Sequence, residues 1–577
     1  MRPEGPESIC APAAARAGCY PSIALQRRRL PTKLRARAGP ALASLALACG
    51  ALSLGALAQT RDGAPLLDGM GPYTHATGTP VPLAQRYFDQ GMVLAWGFNT
   101  PEAARSFDAA TRADPKCAIC FWGLAWSLGP TINTDMHKAD AARVQTAVRR
   151  AEALSVNASP RHRGLIAALV ARHQKPGVVD EERYAAEMRA LAKRSPRDAD
   201  VLTLAAEAQL NLHAYDWWEK DGTAKSWTPE TEALLALALK VAPDHPGANH
   251  YWIHLMESSA TPERALPSAS KLETLVPGSG HLTHMPAHIY MRVGRYAEAS
   301  AVSERSIKAD ERYLAQVQAQ NKYLVGYAAH NHHFLWAATA MEGRSRAAVD
   351  AARTAYRVAC GPQPSLREGT LQHYFALEYY ALVRFARWDE ILKATLPPDT
   401  EAPYPLAVWH FARGMAFART GKLREGRKEL DALEKTGADP ALKDVTVKNI
   451  NLASRLIGIA TLTLRAELAV ADKKPLVAVK LLEEAVAIED GLAADEPHLW
   501  LAPTRHALGA ALLRAGRAAE AESVYREDLA HYPENGWSLY GLSQALAMLG
   551  RADEARDLDE RFRATWRSAD VDLRSLR

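Results

Sequence analysis

Of the 19 histidines in this 577-residue chain, three fall within eight positions, at His281, His284 and His288. A second group lies upstream in "HPGANHYWIHLME", which carries His250, His254 and Glu257, and a third downstream in "HNHHFLW", which carries His330, His332 and His333. Neutral imidazole is a donor for zinc, copper, iron and nickel. Residues three or four apart share a helix face, so His250/His254 and His284/His288 would each form a chelating edge. Three such rings with one open coordination position make a catalytic metal centre. Six or more on facing helices would admit two ions. Glu257, about one turn beyond His254, is the candidate to orient a ligand or move a proton. Single buried histidines are more often hydrogen-bonded core residues. The chemistry therefore depends on whether separate segments bring these rings together.

The segments that must do so are helical. The sequence is 48% hydrophobic and only 7% aromatic, and it is rich in alanine, leucine, arginine and glutamate, which favour helix. Alternating β-branched runs are missing, which points to an all-α chain. The turn Gly-Arg-x-x-Glu-Ala recurs as "GRYAEA" at 294, "GRAAEA" at 516 and "GRADEA" at 550, the last two separated by one 34-residue period. Around the middle copy, Leu508, Gly509, Leu512, Gly516, Ala521, Tyr525 and Pro533 fall at the offsets of a tetratricopeptide repeat, and the chain resembles that family. Gly91, Leu94, Ala103, Phe107 and Pro115 fit the same register, as do Gly414, Phe417, Gly421, Gly426 and Leu430. The resemblance implies a right-handed superhelical solenoid of helix-turn-helix units with a concave inner face. Units run over 246–279 and 280–313, and others start at Ala329 and near Gln372. Residues 81–245 hold N-terminal repeat-like and irregular helical units, 246–395 the histidine-rich units, and 396–577 the C-terminal units and cap.

In this family the second, fifth, ninth and twelfth places of the first helix face the groove. The register puts His250 and His254 at the fifth and ninth places of one unit and Glu257 at the twelfth. His281, His284 and His288 take the second, fifth and ninth of the next, His330 and His333 the second and fifth of a third, and His373 the second of a fourth. Eight histidines thus line one wall, while His332 and His410 fall outside it. Pro286 interrupts the middle helix: either the helix kinks there, or it begins there and leaves His281 and His284 on a loop. Glu207 is read as a solvated or salt-bridged groove residue, and the aromatic loop with Asp216, Trp217 and Trp218 as an apex that leans over the groove.

The first 58 residues differ in kind. A basic stretch from Arg27 to Arg37 precedes the uncharged apolar run 41–58, which ends in Ala56-Leu57-Ala58. This is the pattern of an export signal, with Arg27-Arg28 leaving twin-arginine export open and Cys49 a lipoprotein start. Residues 59–80 read as a flexible entry segment. Without 1–58 the chain holds 62 Lys/Arg against 63 Asp/Glu. Its net charge of −1 gives no sign of a nucleic-acid surface, and no later segment has the length of a transmembrane anchor. Cys117 and Cys120 frame "CAIC"; because Phe121 follows, c-type haem attachment is excluded, leaving a buried pair, a plain disulfide or a redox site. Phosphate-loop, dinucleotide and His-Glu-x-x-His motifs do not occur. The histidine-rich segments also resemble a bacterial exported group of repeat proteins, which implies a shared cluster but no particular activity. The expectation is an exported, periplasmic solenoid that binds copper, iron or zinc through His250, His254, His281, His284, His288, His330 and His333. It would be a metal-dependent oxidoreductase or hydrolase acting on a small molecule. The alternative is a metal-free scaffold that docks a partner peptide in the same groove.

Overall fold

The computed structural model describes residues 64–576 except 318–322, 362–365, 367, 396–401 and 501. The expected export signal lies outside the described residues. From Pro82 onward, antiparallel helical hairpins follow one another, beginning with Pro82–Trp96 and Thr100–Ala113 and ending with Gly536–Met548 and Ala552–Thr565. The stretch expected to be irregular also forms hairpins, among them Pro160–Arg172 with Glu181–Arg194 and Ala199–Leu212 with Thr228–Val241. Their connections are longer, which hides the period. Among the described residues the only strands are the two-residue pair Thr446–Val447 and Asn451–Leu452.

Local chemistry fixes where the helices start and how closely they pack. Asp198 and Asn535 cap their helices by accepting from the backbone N–H of Val201 and Ser538, each cap worth about 1 kcal/mol. Gly516 adopts φ +76°, which the turn of its hairpin requires and which glycine adopts without a Cβ penalty. Tyr525 is fully buried between two first helices. A Cβ added at Gly509 or Gly541 would stand 2.3 or 2.2 Å from its ring. Phe107 is held in the same way between Gly91 and Gly123. The glycine of each repeat thus makes the hole that the aromatic fills, and an added methyl there would cost about 1–3 kcal/mol in overpacking.

Two features close the inner wall of residues 246–341. The C-terminal hairpins return to it: Tyr296 donates from its hydroxyl to the Pro533 carbonyl at 2.8 Å, and Trp537 Nε1 donates to the Ala340 carbonyl at 3.2 Å. The strand hairpin 446–452 and the connecting residues 491–500 lie over the wall, tied together where Lys448 Nζ donates to Asp495 Oδ1 at 2.8 Å and to the Glu496 carbonyl at 2.7 Å. At the other end, the segment 64–80 contains no helix and runs along the hairpins. Gly278 N donates to Gly69 O at 2.8 Å, and Tyr73 and His75 both bond Asp200 at 2.7 Å. Among the described residues no helix is long and apolar enough to cross a membrane.

Candidate metal centre

The helix Pro246–Glu257 carries His250, His254 and Glu257 on one face. Its neighbour resolves the alternatives at Pro286. Gly280–His284 and Pro286–Arg292 are two helical pieces joined by Met285, whose φ and ψ remain helical. Proline breaks the hydrogen-bond ladder but does not turn the chain away, so His281, His284 and His288 stay on one wall. Ala329–Met341 adds His330 and His333, and Gly369–Arg384 adds His373.

These rings meet. His250, His254 and His281 bring one ligand atom each to within 4.8 Å of one another, and so do His284, His288 and His330. Within the first trio, His250 Nε2 and His281 Nε2 are 3.1 Å apart; within the second, His284 Nε2 and His288 Nε2 are 2.9 Å apart. The trios adjoin, with ring centroids 5.7 Å apart between His254 and His288 and 6.0 Å between His281 and His284. Phe98 packs on the rings of His250, His254 and His281, and Phe334 on those of His284, His288 and His330. Each trio therefore has its own apolar wall.

On three of the rings Nδ1 is anchored, while His281 Nδ1 and His284 Nδ1 are buried without a protein partner. His250 Nδ1 bonds the Trp96 carbonyl at 2.5 Å. Glu257 reaches both trios, with Oε1 3.0 Å from His254 Nδ1 and Oε2 2.5 Å from His288 Nδ1. Glu496 adds a second carboxylate to His288 Nδ1 at 2.8 Å. At His250 and His254 the carbonyl or carboxylate on Nδ1 fixes the proton there and leaves the Nε2 lone pair directed inward, as in metal-bound histidines with outer-shell partners. His254 Nε2 is buried and meets no protein hydrogen-bond partner, which fits a metal ligand. A third acid-rich set, His254, Glu257 and Glu496, also lies within 4.8 Å, but there Glu257 is already on the anchored side of the ring.

Burial sets the charge. It holds His250, His281, His284 and His330 well below the usual imidazole pKa, and it brings His254 down to about 3, with the neighbouring histidines adding to the effect. These rings are neutral and available as donors at neutral pH. His288 is the exception. Burial disfavours its charged form, but Glu257 and Glu496 outweigh burial and push it up to about 10. Burial and Glu257 in turn raise Glu496.

His333 and His373 form a separate pair, their centroids 5.5 Å apart. His373 Nδ1 is 2.9 Å from the Tyr404 hydroxyl, while both nitrogens of His333 are buried without a protein partner. Of the seven histidines expected to ligate, six enter the trios and His333 stands beside them. His410 pairs with Glu429 at 2.7 Å. Glu207 is buried, not solvated: it bonds Tyr184 and Asn211, and burial raises it to about 7. In the aromatic loop Trp217 is buried in the core, and its neighbour Tyr215 is the residue that leans over the wall. The Tyr215 ring lies 6.4 Å from His254, and its hydroxyl donates to Asn133 Oδ1 at 2.5 Å. Glu496 and Lys448 lie outside the repeat register. Their only sequence signal is the long connections that carry them.

Residues 512–560 match the family described as Tetratricopeptide repeat. The solved structures similar to this chain include a human IFIT1 dimer with m7Gppp-AAAA, 13% identical, covering 84% of this chain and 91% of that one at a TM-score of 0.31. They also include the TPR domain of P58(IPK), 12% identical, covering 81% and 99% at a TM-score of 0.21. Scores of this size carry no functional comparison. No curated protein matches the sequence. The stack of hairpins makes this an all-α repeat solenoid, with a tetratricopeptide-repeat match over residues 512–560.

Proposed function

We propose that this solenoid is an exported protein whose histidine wall binds a transition metal, copper, iron or zinc, and uses it as an oxidoreductase or hydrolase on a small molecule. The observation that carries the reading is the shared polarity of the rings. His250, His254 and His288 are fixed through Nδ1, and Nε2 atoms face each other in two pairs, His250 with His281 and His284 with His288. An ion bound there would supply Lewis-acid or one-electron chemistry. The chain's own residues do the rest. Both oxygens of Glu257 are occupied by ring nitrogens, which makes it a positioning residue that sets the two rings. Glu496, whose side chain is 27% exposed, is the carboxylate placed to exchange a proton with solvent. Phe98 and Phe334 exclude water from the rings. Tyr215, half exposed at the rim, borders the approach for a small molecule. The Cys117–Cys120 disulfide supports export to an oxidising compartment.

The alternative, a metal-free periplasmic scaffold, requires a polar face that a peptide can reach. Seven of the eight wall histidines are buried, which favours the metal. Elemental analysis of the purified protein tests the choice. Near-stoichiometric metal, lost in a His254→Ala/His288→Ala variant that keeps its helical circular dichroism, supports the proposal. A metal-free wild type that gains no metal on incubation with copper, iron or zinc salts contradicts it.

A further inference from the structure

We infer that the wall holds two metal ions, one in each histidine trio, with Glu257 as the carboxylate that fixes one ligand of both. The inference rests on the metal-binding reading above and adds the number of ions and the division of labour among ligands.

Three observations lead there. The first is spacing. Metal–imidazole bonds of about 2.0–2.1 Å put two ligands of one tetrahedral ion about 3.3 Å apart. The Nε2 pairs at 3.1 Å, His250 with His281, and at 2.9 Å, His284 with His288, match that edge. Each pair lies inside one trio, and each trio is completed by a third ring, His254 or His330, within 4.8 Å. The two sets share no residue. Six ligands that belonged to a single ion would surround one point, whereas these surround two.

The second is the position of Glu257. Its two oxygens anchor His254 of one trio and His288 of the other. A carboxylate with one ion's worth of work would leave an oxygen for water or for a ligand of the same trio. Here one side chain is divided between two neighbouring sets. Glu257 and Glu496 also place negative charge between and beside the trios, which offsets the charge of two cations in a buried setting.

The third is the donor chemistry. Each trio offers three imidazoles and no carboxylate, so the ions belong to the first-row metals that prefer nitrogen, copper or zinc above manganese, magnesium or calcium. Three protein ligands leave each ion an open position. With the trios in contact at His254–His288 and His281–His284, two such positions lie side by side. The ligand that uses them would be a small molecule carrying two donor atoms or a single bridging oxygen.

The test is a count. The purified full chain, stripped with a chelator, is reloaded with copper(II) or zinc(II), freed of excess metal, and weighed by native mass spectrometry. Two ions per chain are expected for the wild type. A His250→Gln/His281→Gln variant and a His284→Gln/His330→Gln variant should each keep one, and the combination of all four should keep none. Glutamine retains bulk and polarity, and thermal unfolding with circular dichroism checks that each variant is folded. The wild-type count itself needs no variant. One ion per wild-type chain overturns the two-ion inference while leaving the metal-binding proposal intact, and no ion overturns both. Loss of both ions from a folded single-trio variant also contradicts it, because separate trios must load separately.

Discussion

The hairpins at 246–292 and those at 504–548 share one scaffold and treat buried histidine in opposite ways. In the C-terminal pair, His506 Nε2 meets Asp528 Oδ2 at 2.9 Å and Nδ1 meets Arg384 at 3.0 Å. The same Asp528 accepts from Asn535 at 3.0 Å and from Ser538 at 2.6 Å. That network is complete around its ring and serves packing. In the histidine wall, Nδ1 is held at His250, His254 and His288, and Nε2 atoms face each other in two pairs, His250 with His281 and His284 with His288. His254 Nε2, His281 Nδ1 and His284 Nδ1 find no protein partner. A buried polar atom left in that state costs about 1–3 kcal/mol. The fold leaves imidazole nitrogens in this state repeatedly in one place and partners both nitrogens of His506 in the other. Burial alone therefore does not mark a site; incomplete satisfaction, repeated across helices, does.

The comparison can be broken most forcefully at Asp528. Asp528→Ala strips partners from His506, Asn535 and Ser538, and should destabilise the protein by about 3–5 kcal/mol without changing its metal content. Chemical denaturation and elemental analysis together check this. The pH dependence has a definite sign. Burial works against the Asp528 carboxylate, but His506, Ser538 and Asn535 hold it below its usual value. A depressed carboxylate contributes stability above the unfolded pKa of about 3.9, and that stability is lost as pH falls through the lower folded value. Acid titrations of wild type and Asp528→Asn should converge below about pH 4, because the wild type shows the steeper loss. Next in size is Glu257→Gln, which removes the shared anchor. Metal affinity should fall by about 10–100-fold, measured by chelator competition, while unfolding of the metal-free protein changes less than for Asp528→Ala. The smallest effect belongs to His333→Leu. An apolar side chain in place of a ring with no partners should shift stability by about 1 kcal/mol or less and leave the metal count unchanged. A lost ion there would move His333 into a trio.

Much of this was legible in the sequence because the repeat is a ruler. Once Gly509, Gly516, Ala521 and Tyr525 set the register, His250, His254, His281, His284, His288 and His330 fall on one wall, and the structure brings their rings together. Helical spacing is local and survives a proline kink, which is why Pro286 does little harm. What the register does not encode is contact across long sequence distances. Glu496 reaches His288 from the connecting residues 491–500, and Lys448 comes from a strand hairpin between helices. The 34-residue period describes neither. His333 shows the other limit: the fifth place on its helix points it inward, but the neighbouring helix pairs it with His373 and not with His330's partners. The return of the C-terminal hairpins joins Tyr296 to Pro533 across 237 positions of sequence, so the burial of the wall was not readable from any one unit.

The most direct measurement is anomalous scattering at the metal absorption edge, from crystals of the protein reloaded with copper or zinc. Two peaks are expected, each within about 2.0–2.1 Å of the Nε2 atoms of His250 and His281 or of His284 and His288. Peaks confined to surface carboxylates, or an absence of anomalous signal along the wall, would contradict it.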